Sequence, residues 1–140
     1  MENRKEDKIK DLNGYLVELE EILPKDLNEY LTNFEKKAAC ERYFEKIIEA
    51  VIDLAFLIIK ENKFRNPNSE RDALKILFEE EVIGEGLSIK ISEAKSMRNI
   101  IIHEYGNIDD ELVFDSLTKE LIKDVHDFIG GVLDYDKKKS

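Results

Sequence analysis

No tryptophan, one cysteine, two prolines, two histidines and six glycines occur in this chain of 140 residues. Each scarcity excludes something. A lone Cys40 cannot form an internal disulfide, and its place inside a helical pattern makes it a buried thiol rather than a nucleophile. That usage fits a reducing compartment. So little Gly and Pro is poor material for turn-rich β architectures. Two dispersed histidines, His103 and His126, with one cysteine and no E-x-x-H pair, offer neither a zinc site nor a di-iron site, so no metal or other cofactor is expected. Long hydrophobic runs are missing as well. The most apolar stretch, Ile47 to Ile59, is too short to span a bilayer and carries Glu49 and Asp53, while the N-terminal MENRKEDKIKDLNGYL is too polar for a signal peptide. The expectation is a cytoplasmic protein that is neither secreted nor membrane-spanning.

Positive charge is also in deficit, with 22 Lys and Arg against 32 Asp and Glu and a net charge of -10. Such a surface repels polyanions, which excludes a nonspecific nucleic-acid coat and confines any RNA contact to a local site.

What is present is the composition of a soluble helical bundle, 39% charged and 42% hydrophobic. The length suits a single domain over 1–140, with about 136–140 a frayed tail. Ile9, Leu12, Leu16, Leu19 and Leu23 recur at helical steps over Lys5 to Leu23. From Pro24 a helical pattern without internal Gly or Pro runs to about Asn62, amphipathic at first through Leu27, Leu31 and Phe34. Over Ile47 to Ile59 it is apolar on nearly every side, as expected of a helix covered on several faces, with a second subunit as one source of that cover. Ser69 can cap a short helix from Glu70 to Ile83, after which Gly84 and Gly86 break the chain. A fourth helix runs from Leu87 to about Tyr105, closed by Gly106, and a fifth from Asp109 to about Tyr135. The spacing therefore predicts an all-α bundle of four to five helices in mostly up-and-down order.

The fourth helix carries the chemistry. Its apolar seam is Leu87, Ile91, Ala94, Ile101 and Tyr105, and Arg98 occupies the position between Ala94 and Ile101. An unpaired guanidinium in a seam is costly, and no anion stands three or four residues away, where Ala94, Lys95, Ile101 and Ile102 lie. Arg98 therefore pairs either with a carboxylate from another helix or with a substrate phosphate, which its planar fork of donors binds well. His103, in the last turn, either complements the helix dipole or transfers protons near neutral pH. His126, near Asp124 and Asp127, reads as a surface residue. Ser88, Ser92 and Ser96 fall at four-residue steps on the face leading to Asn99 and His103. Small residues there permit close helix approach, and a solvated face accounts for them equally.

The run Arg98-Asn99-Ile100-Ile101-Ile102-His103-Glu104-Tyr105 reads R-N-x3-H-x-Y and is followed by Gly106-Asn107-Ile108-Asp109. It resembles the signature of the HEPN superfamily, specifically its HepT-like toxins. The segment Glu41 to Asp53 is similar to that family's core helix, and the likeness spans most of the chain. The resemblance implies a homodimeric, metal-independent endoribonuclease of a type VII toxin–antitoxin system, with its active site in a cleft between the subunits. RNA, with transfer RNA foremost, is the implied substrate rather than DNA, and a minimal nucleotidyltransferase is the implied antitoxin partner. It makes Arg98 and His103 catalytic, Asn99 a supporting polar residue, and Tyr105 the position that the partner modifies with AMP. The alternative is a HEPN module that binds a nucleotidyltransferase or a nucleotide without cutting RNA. On an ideal helix five residues turn through about 140°, so Arg98 and His103 of one chain point apart, whereas a two-fold axis can bring together residues from two copies.

Overall fold

The computed structural model describes residues 3–103 and 108–139, and the described residues are helical with no strand. Helix α1 (Arg4–Ile22) starts where the Asn3 side chain accepts from the Glu6 N–H, and its Leu12, Leu16 and Leu19 stripe is buried. The continuous helix expected from Pro24 is divided into α2 (Leu27–Thr32) and α3 (Phe34–Asn62). Pro24 lies outside both. Asp26 caps α2 by accepting from the Glu29 N–H at 2.9 Å. Asn33 makes the division: its N–H donates to Glu29 O at 2.8 Å and its side chain accepts from the Lys36 N–H at 3.1 Å. An Asn side chain that competes for backbone donors can end one helix and start the next without Gly or Pro.

Helix α3 is the centre of the bundle, packed by α1, α2, α4, α5 and part of the last helix. Cys40, Phe44, Ile47, Ile48, Val51, Leu54, Ala55, Ile58 and Ile59 are all buried within this one chain, so its own helices cover most of the apolar stretch, while Phe56 stays 39% exposed and Leu57 half-buried. Burial pushes the Cys40 thiol up to about 11, in keeping with an inert thiol.

Two helix ends close without glycine. At the end of α3, Lys63 takes the left-handed conformation (φ 58°), with Phe64 N–H donating to Ile59 O at 3.0 Å and Lys63 N–H to Lys60 O at 3.3 Å. At the end of α4 (Glu70–Glu79), Glu81 does the same (φ 61°), with Val82 N–H donating to Leu77 O and Glu81 N–H to Phe78 O. Both are Schellman closures. The break expected at Gly84 and Gly86 thus comes earlier, and Gly86 lies inside α5 (Glu85–His103). The buried Val82 and Ile83 that follow the α4 turn hold the chain down there. The closure proposed for Gly106 lies outside the described residues.

The last helix is capped by Asp109, which accepts from the Leu112 N–H, and runs as α6 (Asp110–Asp115), a π-helical turn (Ser116–Leu121) and α7 (Ile122–Lys139). Its buried Val113, Leu117, Leu121 and Val125 are spaced by fours. Three such steps at 3.6 residues per turn would carry the stripe about 120° around an α-helix, and a wider turn keeps it on one face. Expected to fray from about Asp136, the helix instead continues to Lys139. Lys5 bonds Asp136 at 2.7 Å, Lys139 bonds Asn62 at 2.6 Å, and Tyr135 packs edge-on against Phe64. Two adjacent glycines in α7 differ sharply: a Cβ at Gly131 would lie 2.9 Å from Val82 O, whereas one at Gly130 would meet nothing within 4 Å. No helix among the described residues is long and apolar enough to cross a membrane.

Candidate active site

Arg98 and Asp124 are the only buried charged residues among those described. They are handled differently. Asp124 faces Lys90 at 3.9 Å, and burial pushes its carboxyl up from the ordinary carboxylate value. Arg98, 8% exposed, is held by two close partners on two helices. Its Nη2 donates to Glu70 Oε1 at 2.9 Å and to Asn99 Oδ1 at 2.9 Å, while Nε donates to the same Asn99 oxygen at 3.2 Å. Nη1 has no hydrogen-bond partner among the described residues. One edge of the guanidinium is thus clamped, and the other amino group is uncommitted among the described residues.

The local sequence explains the placement. Ser69 caps α4 by accepting from the Asp72 N–H, which puts Glu70 in the first turn, where the helix dipole favours a carboxylate. Ser88, at the other end of the α4–α5 contact, is buried and donates to Leu74 O at 3.2 Å, so a small side chain does allow α5 to approach α4 closely. Further along, Ser96 donates to Ser92 O at 3.2 Å and accepts from Arg71 Nη2 at 2.9 Å. Lys95 stands 3.9 Å from the same Glu70 oxygen that holds Arg98. In a strongly acidic chain, Lys95 and Arg98 therefore share one carboxylate, that of Glu70, while Arg71 reaches Ser96 across the same helix contact.

Of the residues singled out in the sequence, Arg98 and Asn99 come together, with Asn99 half-buried. His103 is the last described residue of α5, exposed, and without a side-chain hydrogen bond or ion pair among the described residues. No hydrogen bond or ion pair joins it to Arg98. Tyr105 lies outside the described residues. Glu70 was missed as a partner because it is 28 positions away in sequence; its signal was its place after a capping serine, in the first turn of a helix. His126 is exposed on α7, as expected. No group of three or more His, Cys, Asp or Glu side chains among the described residues is placed to hold a metal ion.

The all-α bundle thus carries a buried arginine paired across two helices, an asparagine beside it and an exposed histidine five residues on. The chain belongs to the Ribonuclease HepT-like family, whose pattern it matches over residues 12–131. It is 28% identical over 103 residues to the tRNA nuclease HepT of Aphanizomenon flos-aquae, covering 74% of this chain and 70% of that protein. It is 27% identical over 85 residues to the mRNA nuclease HepT of Shewanella oneidensis, covering 61% of this chain and 63% of that one. The tri-AMPylated Shewanella oneidensis HEPN toxin, solved in complex with an MNT antitoxin, has the same fold: the TM-score is 0.87 at 21% identity, over 96% of this chain and 99% of that one.

Proposed function

We propose that this chain is the ribonuclease toxin of a toxin–antitoxin pair and that Arg98 and His103 cut RNA. The observation that carries the site assignment is the Arg98 guanidinium, a buried cation with one amino group uncommitted among the described residues, on the same helix as an exposed His103. The RNA 2′-hydroxyl attacks the adjacent phosphorus. A histidine removes its proton, the 5′-oxygen leaves with a proton supplied by a general acid, and a 2′,3′-cyclic phosphate remains. Arg98 stabilises the charge that builds on the non-bridging phosphoryl oxygens. Asn99 supports the guanidinium that does so.

Arg98 is turned toward α4 and no hydrogen bond or ion pair joins it to the exposed His103, and we place the working site between two copies of a homodimer. The two nucleases similar to this chain are named for different RNA classes; transfer RNA is our choice of substrate. The toxin similar in fold is AMPylated and bound by an antitoxin. By analogy, a nucleotidyltransferase antitoxin transfers AMP to Tyr105, adding negative charge and bulk where the RNA phosphate approaches Arg98. The whole system works in the cytoplasm, as a single domain of this chain acting with its copy.

One specific observation favours a non-catalytic reading: the Arg98–Glu70 pair is also what a purely structural arginine would make. Incubation of the purified protein with total cellular RNA separates the two. Cleavage products with cyclic phosphate ends, formed equally in EDTA, are expected. Intact RNA, or cleavage that stops in EDTA and returns with magnesium, would count against the proposal.

A further inference from the structure

We infer that Glu70 is a positioning residue for the RNA cleavage step, acting through Arg98; this rests on the reading of Arg98 given above. Its Oε1 accepts from Arg98 Nη2 at 2.9 Å and joins Asn99 in fixing the Nε–Nη2 edge of the guanidinium. An arginine side chain has many rotamers, and holding one of them in advance avoids an ordering cost in the transition state. The clamp is directional. Among the described residues it occupies Nε and Nη2 and leaves Nη1, so the group offered to a phosphoryl oxygen is defined by which atoms Glu70 and Asn99 have already taken. Lys95, 3.9 Å from the same Glu70 oxygen, offsets the negative charge that the carboxylate would otherwise present to an approaching RNA phosphate. Glu70 is anchored independently of Arg98, since it sits in the first turn of α4 behind the Ser69 cap, and its side chain is 40% exposed. Its removal leaves the buried Arg98 guanidinium with Asn99 alone, so the unfolding of each variant is read beside its rate.

The test measures initial rates on total cellular RNA over a range of RNA concentrations for Glu70→Ala, Glu70→Leu and Glu70→Gln, with thermal unfolding of each. Glu70→Gln keeps an oxygen acceptor for Nη2 and is expected to stay within about threefold of the parent in apparent kcat, whereas Ala and Leu lose about ten- to a hundredfold with little change in apparent KM. Equal or faster cleavage by Glu70→Ala would overturn the inference, because Glu70 would then be irrelevant or compete with RNA for the guanidinium. A loss carried wholly by KM would also overturn it, as would failure of both Ala and Leu variants to unfold cooperatively. Arg98→Ala, assayed alongside, reports separately on the underlying reading. If it still cuts RNA, the assignment of Arg98 fails; if it is inactive while Glu70→Ala is not, only the role of Glu70 fails.

Discussion

The middle of α3 and the N-terminal half of α4 with its α5 neighbour are both buried contacts within one bundle, yet they are built on opposite rules. Over Ile47 to Ile59 the buried face of the helix is wholly apolar and covered by several neighbours of the same chain, while Glu49, Asp53 and Phe56 form its exposed edge. At Arg98 the seam of α5 instead accepts a permanent cation, and the structure supplies Glu70 and Asn99 to hold it. The first region follows hydrophobic burial alone. The second gives up some of that burial for a placed charge, which a core does not need and the role proposed for Arg98 does.

That contrast is sharpened first by truncation in the apolar region. Phe44, fully buried, should cost about 3–5 kcal/mol on change to Ala, read as a lowered denaturant midpoint. Arg98→Ala, at a position also buried, should cost only about 1 kcal/mol, since the Glu70 side chain left behind is 40% exposed and can be hydrated. A loss at Arg98 as large as that at Phe44 would make the arginine a structural element and erase the difference between the regions.

A second comparison lies in α7. Gly131→Ala should destabilise by about 1–3 kcal/mol, because its Cβ would press on Val82 O at 2.9 Å. Gly130→Ala, open on that side, should stabilise by about 0.5–1 kcal/mol through helix propensity. Melting curves of the two variants should move in opposite directions.

How much of this was legible in sequence differs between the regions in the same way. The α1 and α3 stripes were readable because periodicity is local, and so was the Arg98 anomaly, a cation where the pattern calls for an apolar residue. What ends a helix was less legible. The end of α3 at Asn62 falls where the sequence put it, but Asn33 ends α2 with its own side chain and backbone and Glu81 closes α4 through backbone hydrogen bonds, so at those two places the expected glycine and proline signals pointed elsewhere. The π-turn at Ser116–Leu121 was likewise invisible without the buried face it serves. Glu70 was hidden for a different reason: a pair formed across 28 positions depends on how α4 and α5 dock, which no window of sequence contains.

Acid should separate the surface ion pairs from both regions. The Arg65 guanidinium, with the Asn68 N–H, holds Asp72 below its ordinary 3.8 at about 2. A carboxylate lowered on folding contributes stability that is present above its ordinary value and lost as pH falls through the folded one. The parent should therefore lose stability between about pH 4 and pH 2, and Asp72→Asn should show a smaller loss across that window. An unchanged acid profile would remove the clamp on the α3–α4 loop from the account.

The claim that one chain contributes the arginine and its copy the histidine is tested most directly by mixing two inactive variants. Arg98→Ala and His103→Ala, each unable to cut total cellular RNA alone, are denatured together, refolded and assayed. Half of the randomly paired dimers would then carry one complete site of two, so about a quarter of the parent activity should return. No recovery in a mixture shown to contain mixed dimers, or cleavage by either variant alone, would contradict the shared site.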